Sequence, residues 1–473
     1  MVELKNVSFR YGSEEAGTEH ENSLTDVSLS IQNGEFVLLT GPSGCGKTTI
    51  LRLINGLIPH FYPGVIDGDI LLDGKRVRDL ELYDTAKLVG TVFQNPRSQF
   101  YNVDTTGELA FGCENQGLSE TEIYNRIDDT VARFQIEKLM DRSIFQLSDG
   151  EKQKIACASV DVSGTGLILL DEPSANLDYE ATMALRELIK CWQSQGKTII
   201  AAEHRIAYLW DLIDRAVILR EGKIIRELSC EEKNSLSPNE LASMGLRSNQ
   251  LESPEQINLP ILESQDQALL LRGFSFSYPR AKKAIVDIPE LRLAEGEITA
   301  VTGSNGVGKT SFLNCLCGLE ARCKGILEYK GKSYDRKARQ QLCFMVMQDT
   351  GNQLFTESVL DEVLISLPKG TQNGNDRAID ILRQLDLGAF LDRHPQSLSG
   401  GQKQRLAIAC ALISERRILL LDEPTSGLDY THMIETAELL KRLRDMGTTI
   451  LVVTHDSELI HSCCTRKVSL GNS

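Results

Sequence analysis

Two stretches of the chain carry the pattern Gly-x-x-x-x-Gly-Lys-Thr. They are Gly41-Pro42-Ser43-Gly44-Cys45-Gly46-Lys47-Thr48 and Gly303-Ser304-Asn305-Gly306-Val307-Gly308-Lys309-Thr310. Glycines so placed let backbone N–H groups curl around an anion, and a helix starting at the lysine adds its dipole, so the pattern suits phosphate oxygens. Lys47 and Lys309 would reach the outer phosphates of a nucleotide. The hydroxyls of Thr48 and Thr310 would hold Mg²⁺, with Thr49 and Ser311 next in the same helical turn. Downstream of each loop an apolar run ends in two carboxylates, Leu167-Ile168-Leu169-Leu170-Asp171-Glu172 and Ile418-Leu419-Leu420-Leu421-Asp422-Glu423. Alternation along a strand sends the two acids to opposite sides. The aspartate then suits the metal shell, and the glutamate suits polarising an attacking water.

The chemistry is present twice, in the same order. From Ser148 onward the offset is a constant 251: Ser148 to Ser399, Asp171 to Asp422, Asp178 to Asp429, His204 to His455. A repeat of this length implies two domains rather than one large one. The residues before each loop supply the context the loop needs. Phe36-Val37-Leu38-Leu39-Thr40 is a short apolar run of the kind buried on both faces of a mostly parallel sheet, and the helix expected behind the loop follows at Thr48. Residues 2–9 alternate apolar and polar and read as a strand, and Asp26-Val27-Ser28-Leu29-Ser30-Ile31 continues that pattern. A polar segment, residues 229–267, holds three prolines and Glu231-Glu232-Lys233, and reads as a tether or small helical appendage. The expected division is therefore 1–228, a linker 229–267, and 268–473.

Bulk properties narrow the classes of function. The formal net charge is −15, which argues against nucleic acid as a main partner, because phosphate backbones need clustered Lys and Arg. The twelve cysteines show no Cys-x2-Cys spacing and read as reduced, mostly buried small residues. Cys45, inside the first loop, reads as one of these rather than as a redox-sensitive thiol. No apolar run approaches the length of a membrane span, so any service to a membrane would come from outside the bilayer.

With these motifs in view the chain resembles the ATP-binding subunits of ABC transporters. Leu398-Ser399-Gly400-Gly401-Gln402 matches that family's signature in full. The resemblance implies an α/β fold of two tandem P-loop NTPase domains. Each would have a mostly parallel sheet core, an antiparallel β subdomain and a helical subdomain. It implies ATP and Mg²⁺ as ligands and ATP hydrolysis as the activity. By position it makes Tyr11 and Tyr278 the aromatics that stack on adenine, and Gln94 and Gln348 the metal-sensing glutamines. His204 and His455 become switch histidines beside the γ-phosphate, and Glu172 and Glu423 the catalytic carboxylates. It further implies head-to-tail pairing of the halves: Lys47, Glu172 and His204 with Ser399 and Gly401, and Lys309, Glu423 and His455 with Ser148 and Gly150.

The first signature, Leu147-Ser148-Asp149-Gly150-Glu151, departs from the family pattern at Asp149 and Glu151. Two added negative charges near a triphosphate lead us to expect unequal but competent sites. The segments after the glutamines, Gln94-Asn95-Pro96-Arg97-Ser98-Gln99-Phe100-Tyr101 with Glu108-Leu109-Ala110-Phe111-Gly112 and Gln348-Asp349-Thr350-Gly351-Asn352-Gln353-Leu354-Phe355, resemble the energy-coupling factor group. That group imports vitamins and, in related systems, transition-metal ions. The resemblance implies a peripheral subunit on the cytoplasmic face of the cell membrane. Its partners would be a transmembrane scaffold and a small membrane substrate-binding subunit. A monosaccharide-importer ATPase, or a soluble ABC ATPase acting outside transport, are the alternative readings. The extra loop Pro59-His60-Phe61-Tyr62-Pro63-Gly64 reads as a partner contact or a simple turn.

Overall fold

The computed structural model describes residues 1–12, 23–260, 268–279, 283–368 and 370–471. The first half contains strands β1 (Val2–Tyr11), β2 (Leu24–Ile31), β3 (Phe36–Thr40), β4 (Gly64–Leu72), β5 (Lys75–Arg76), β6 (Val89–Val92), β7 (Leu167–Asp171), β8 (Thr198–Ala202), β9 (Arg215–Arg220) and β10 (Lys223–Leu228). Six of them form the core sheet in the order β10-β9-β3-β8-β7-β6. Its neighbours from β9 to β6 pair in parallel, and only β10 runs antiparallel. Every residue of β3 and β8 is buried, which is why both read as unbroken apolar runs rather than alternations. The antiparallel sheet β2-β1-β4-β5 keeps the alternation instead, with Val2, Leu4, Val7 and Phe9 of β1 turned inward.

The helical subdomain is built from Thr105–Asn115, Glu120–Phe134 and Asp149–Val162. Leu109, Ile127, Phe134 and Ile155 join the core around Trp192 of the helix Tyr179–Ser194. The buried Asp161 carboxylate inside this subdomain accepts from Trp192 Nε1 (2.9 Å), Thr130 Oγ1 (2.7 Å) and an Arg133 guanidinium (2.6 Å). A charge taken out of water survives only when supplied with donors in this way.

The second half repeats the plan with β11 (Ala268–Phe276), β12 (Val286–Ala294), β13 (Ile298–Thr302), β14 (Lys324–Tyr329), β15 (Lys332–Tyr334), β16 (Cys343–Val346), β17 (Ile418–Asp422), β18 (Thr449–Val453) and β19 (Arg466–Ser469). Its antiparallel sheet is β12-β11-β14-β15, and its core sheet is the parallel β16-β17-β18-β13-β19. The fold read from the sequence, two α/β domains with parallel cores and antiparallel subdomains, is the fold observed.

Contacts divide the chain into two compact units, one built on Met1–Leu251 and the other on Glu252–Leu428 and His432–Ser473. The polar segment contributes to each. Capping boxes at Ser229 and Ser237 start the short helices Cys230–Ser235 and Pro238–Ser243, and Leu241 and Leu246 then enter the first core. Farther on, the Lys467 ammonium donates to the carbonyls of Pro254 (3.3 Å), Glu255 (2.7 Å) and Ile257, which fixes that stretch on the second unit. The last part of the segment, 261–267, lies outside the described residues.

Candidate nucleotide sites

In each half the glycine loop leaves the central strand and turns into a helix, Lys47–Ile54 or Lys309–Cys317. The loops require glycine for two reasons. Gly46 and Gly308 have φ of 103° and 101°, a backbone state that side chains rarely adopt. A Cβ on Gly41 would lie 2.1 Å from the Leu219 carbonyl oxygen, and one on Gly303 would lie 2.6 Å from that of Leu470. Ser43 and Gly44, like Asn305 and Gly306, are exposed on the rim of the loop. The lysines thread back beneath it: Lys47 Nζ donates to the carbonyls of Gly41 and Pro42 (both 3.0 Å), and Lys309 Nζ to those of Gly303 (2.7 Å) and Ser304 (3.0 Å). A glycine-built loop over a lysine ammonium, with its rim open, fits a triphosphate.

The two acids at each strand end take separate positions, the aspartate as the last strand residue and the glutamate just beyond it. Thr48 Oγ1 donates to Asp171 (2.8 Å) and Thr310 Oγ1 to Asp422 (2.7 Å), so the hydroxyl and carboxylate are already juxtaposed as a hard-cation shell would need. Burial raises the pKa of both aspartates above the ordinary carboxylate value, opposed in each by the hydrogen bond from the threonine hydroxyl. Glu172 and Glu423, one residue on, sit at φ of 44° and 48°. Left-handed backbone at a non-glycine residue is uncommon and is held here by the neighbouring strand end, through Glu172 N to Ala202 O (2.8 Å) and Glu423 N to Val453 O (2.9 Å).

The late histidines meet these glutamates. His204 Nε2 lies 3.3 Å from Glu172 Oε1 and 3.2 Å from Lys47 Nζ; His455 Nε2 lies 3.4 Å from Glu423 Oε1 and 3.2 Å from Asn305 Oδ1. Burial lowers the His204 pKa, against the hydrogen bond to Glu172, and so favours the neutral ring. Gln94 Nε2 donates to Glu172 (2.8 Å), and Gln94 and Gln348 are both exposed at matching points of the two halves. The first half therefore gathers Lys47, Thr48, Gln94, Asp171, Glu172 and His204 into one cluster.

The aromatics are also placed alike. Tyr11 stands edge-on to Phe9 (4.7 Å, 79°) with its hydroxyl 3.3 Å from Thr49 Oγ1; Tyr278 stands edge-on to Phe276 (4.9 Å, 76°) with its hydroxyl 2.9 Å from Ser311 Oγ. Thr49 and Ser311 are buried and meet the tyrosines through those hydroxyls. The sequence did not reveal that the extra loop of the first half folds back here. Tyr62 stands edge-on to Tyr11 (6.4 Å), and Arg52 lies over the Tyr62 ring (4.2 Å) while donating to the Tyr11 hydroxyl (3.2 Å). Cys45 is buried, and desolvation pushes its thiol up, so it is a packing residue.

Ser148 and Ser399 cap the helices Asp149–Val162 and Gly400–Ile413 with identical backbone angles, φ −64° and ψ 163°. Each completes a capping box, with Glu151 in one helix and Gln402 in the other. Glu151 thus performs the structural task of glutamine. Gly150, Gly400 and Gly401 lie in the first turn, where helix N–H groups and the dipole favour an anion. The added charges of the first signature are matched in place. Against the upward push of burial, Arg97 (3.1 Å) and Lys152 (3.2 Å) hold the Asp149 carboxyl below its ordinary range, and Ser148 and Arg142 do the same for Glu151.

Two buried glutamates have a structural role that the sequence did not reveal. Glu108 Oε2 accepts from the backbone N–H groups of Tyr101 (3.0 Å) and Asn102 (2.8 Å), and Glu362 Oε2 accepts from those of Phe355 and Thr356 (both 2.9 Å). Each fixes a turn that exposes an aromatic ring. The equal spacing, seven residues from ring to glutamate in both halves, is the signal that could have found them.

The ABC transporter family model matches residues 24–175 and 286–426. A Treponema denticola protein named as an ABC transporter ATP-binding protein is 43% identical over 479 residues, covering 100% of this chain and 95% of that one. A Clostridium perfringens protein with the same description is 31% identical over 514 residues, covering 100% of this chain and 89% of that one. Among solved structures, an RNase-L inhibitor shares the fold with a TM-score of 0.64 at 20% identity, over 98% of this chain and 87% of that one. The chain belongs to the ABC transporter ATP-binding family and is an ATPase with two tandem ATP-binding domains.

Proposed function

We propose that this ATPase powers import of a micronutrient, a vitamin or a transition-metal ion, through a membrane complex of the energy-coupling factor type. The observation that carries the reading is an apolar platform beside the glutamine segment. In the first half Tyr101 is 78% exposed and stacks on Phe111 (4.7 Å, 17°), with Val103 and Phe145 exposed on adjoining, hydrogen-bonded backbone. In the second half Phe355 is exposed at the corresponding place, with Ile365 exposed at the position matching Phe111. Rings held outward by a buried carboxylate suit the receipt of an apolar partner helix. Among the described residues no helix is long and apolar enough to cross a membrane. The proposed partners are a transmembrane scaffold and a small membrane substrate-binding subunit.

The catalytic roles proposed here are those that the geometry supports. Glu172 and Glu423 accept the proton of an attacking water, the neutral His204 ring orients Glu172, and Lys47 and Lys309 face the phosphates. Thr48, Asp171 and Gln94, and Thr310, Asp422 and Gln348, would hold Mg²⁺, which supplies charge neutralisation at the phosphates. Tyr11 and Tyr278 bind adenine. Head-to-tail pairing, which the resemblance implies, would add Ser399, Gly400, Gly401 and Gln402 to the first site and Ser148 and Gly150 to the second.

The test is affinity purification of the full chain from gently solubilised native membranes, with partners identified by mass spectrometry. A transmembrane scaffold with small hydrophobic binding subunits is expected, and Tyr101→Glu together with Phe355→Glu should lose them while retaining ATP binding. Recovery with a sugar permease, or with ribosomes and no membrane protein, would refute the proposal.

A further inference from the structure

The residues flanking the two late histidines differ in a way the 251 offset hides. The first half reads Glu203-His204-Arg205 and the second Thr454-His455-Asp456. In the second half Thr425, in the segment that follows Glu423, donates to Asp456 Oδ2 (2.8 Å). Asp456 also caps the helix Ser457–Cys463 through Leu459 N (3.2 Å). No such helix follows His204, where residues 207–212 form turns, so nothing there calls for a capping aspartate. Yet the link survives: Ser174, the counterpart of Thr425, donates to Glu203 Oε1. A hydroxyl behind the glutamate and a carboxyl beside the histidine are joined in both halves, with the carboxyl taken from opposite sides of the histidine.

We propose that Glu203 is a positioning residue of the first ATP site, clasping the segment 174–178 to the strand end that presents His204. The clasp is internal. Ser174 and Glu203 are 0% and 2% exposed, and Glu203 is anchored by its own N–H to Leu39 O (3.1 Å). Around it the backbone is stitched tightly: Glu172 N to Ala202 O on one side, Leu177 N to Ser174 O (3.1 Å) on the other. Shifting Ser174 therefore shifts Glu172, and shifting Glu203 shifts His204, whose 3.3 Å contact with Glu172 is what orients the general base. The groups facing the Glu203 carboxyl are Lys47, Glu172, Arg205 and the Tyr208 phenol. Burial pushes that carboxyl up to about 8, so at neutral pH the clasp adds no second negative charge beside Glu172.

Relocating the carboxyl tests this directly. In the full chain, Glu203→Thr should lower kcat for ATP at least twofold, and further where the two sites fire alternately, with KM changed less than twofold. Adding Arg205→Asp recreates the order of the second half and should restore at least half of the lost kcat. A double variant no faster than Glu203→Thr alone would overturn the proposal, as would a change confined to KM. Should Glu203→Thr fail to fold, Glu203→Gln, which keeps the hydrogen bond, is compared with Glu203→Leu of similar size. The glutamine variant should be the faster in kcat, and equal values would overturn the proposal.

Discussion

Replacing Glu203 by glutamine should stabilise the protein, and by an amount that grows with pH. The carboxyl is 2% exposed, and burial moves its pKa from the ordinary 4.5 up to about 8. Between those values the unfolded chain has released the proton and the folded chain has kept it. The stability contributed by the protonated group is therefore complete below pH 4.5 and is lost as pH rises to about 8, at about 1.4 kcal/mol per pH unit. At pH 7 the loss amounts to roughly 3 kcal/mol, and at pH 5 to under about 1 kcal/mol. Glutamine keeps the shape and an acceptor for Ser174 but carries no proton to lose, so it escapes the penalty. For a unit of this size, roughly 3 kcal/mol corresponds to about 6–12 °C in Tm. Scanning calorimetry of the full chain and of Glu203→Gln at pH 5, 6, 7, 8 and 9 measures the difference. It should be small at pH 5, widen through neutrality, and level off above about 8. A difference that stays flat, or that widens toward acid, would refute the buried neutral carboxyl.

Arg97→Ala should unmask the Asp149 charge. Because that ion pair is half exposed, the effect is bounded near about 1 kcal/mol, a rise of up to about fivefold in the KM for ATP, and Arg97→Ala with Asp149→Gly should return it to the parental value. Steady-state ATPase assays at low salt check both; a rise that persists in the double variant would show that Arg97 acts by another route. Glu108→Ala leaves two backbone N–H groups without their acceptor, at about 1–3 kcal/mol each, and should lower Tm while releasing the Tyr101 ring from its place. Glu108→Gln retains an acceptor oxygen and should lose less in thermal unfolding; equal losses would show that the charge rather than the hydrogen bonds matters.

What the sequence revealed and what it hid divide along a physical line. The glycine loops, the paired acids and β3 were legible because local constraints dictate their residue types. Backbone at φ near 100° calls for glycine, a strand buried on both faces calls for an apolar run, and adjacent acids at a strand end separate by alternation. Tyr62 and Arg52 were not legible, since their place beside Tyr11 depends on a loop folding back across the antiparallel sheet. Asp149 and Glu151 were visible, but the groups that match their charges were not. At the third helical position glutamate completes a capping box as well as glutamine does, and the arginines that hold the two acids, Arg97 and Arg142, lie outside the signature itself. Glu203 was hidden by the same offset that aligned the acids and the histidines, for its counterpart by position is Thr454 and its counterpart by role is Asp456.

The internal repeat makes this last point general for the chain. Both halves keep lysine, threonine, the two acids and the histidine at matching places, and both keep the glutamate backbone in the same left-handed state. Around that shared core the supports differ. Tyr11 gains a second ring, and a carboxyl crosses from one side of the histidine to the other. Chemistry at a phosphate fixes the identity and position of the atoms that perform it, whereas a support is fixed only by the link it must make. A hydroxyl–carboxyl link can be made from either side of the histidine, so long as the group is buried and the segment behind the glutamate is held. Asymmetry between the two ATP sites is therefore to be sought in how firmly the common groups are held, as well as in the departure of the first signature at Asp149 and Glu151.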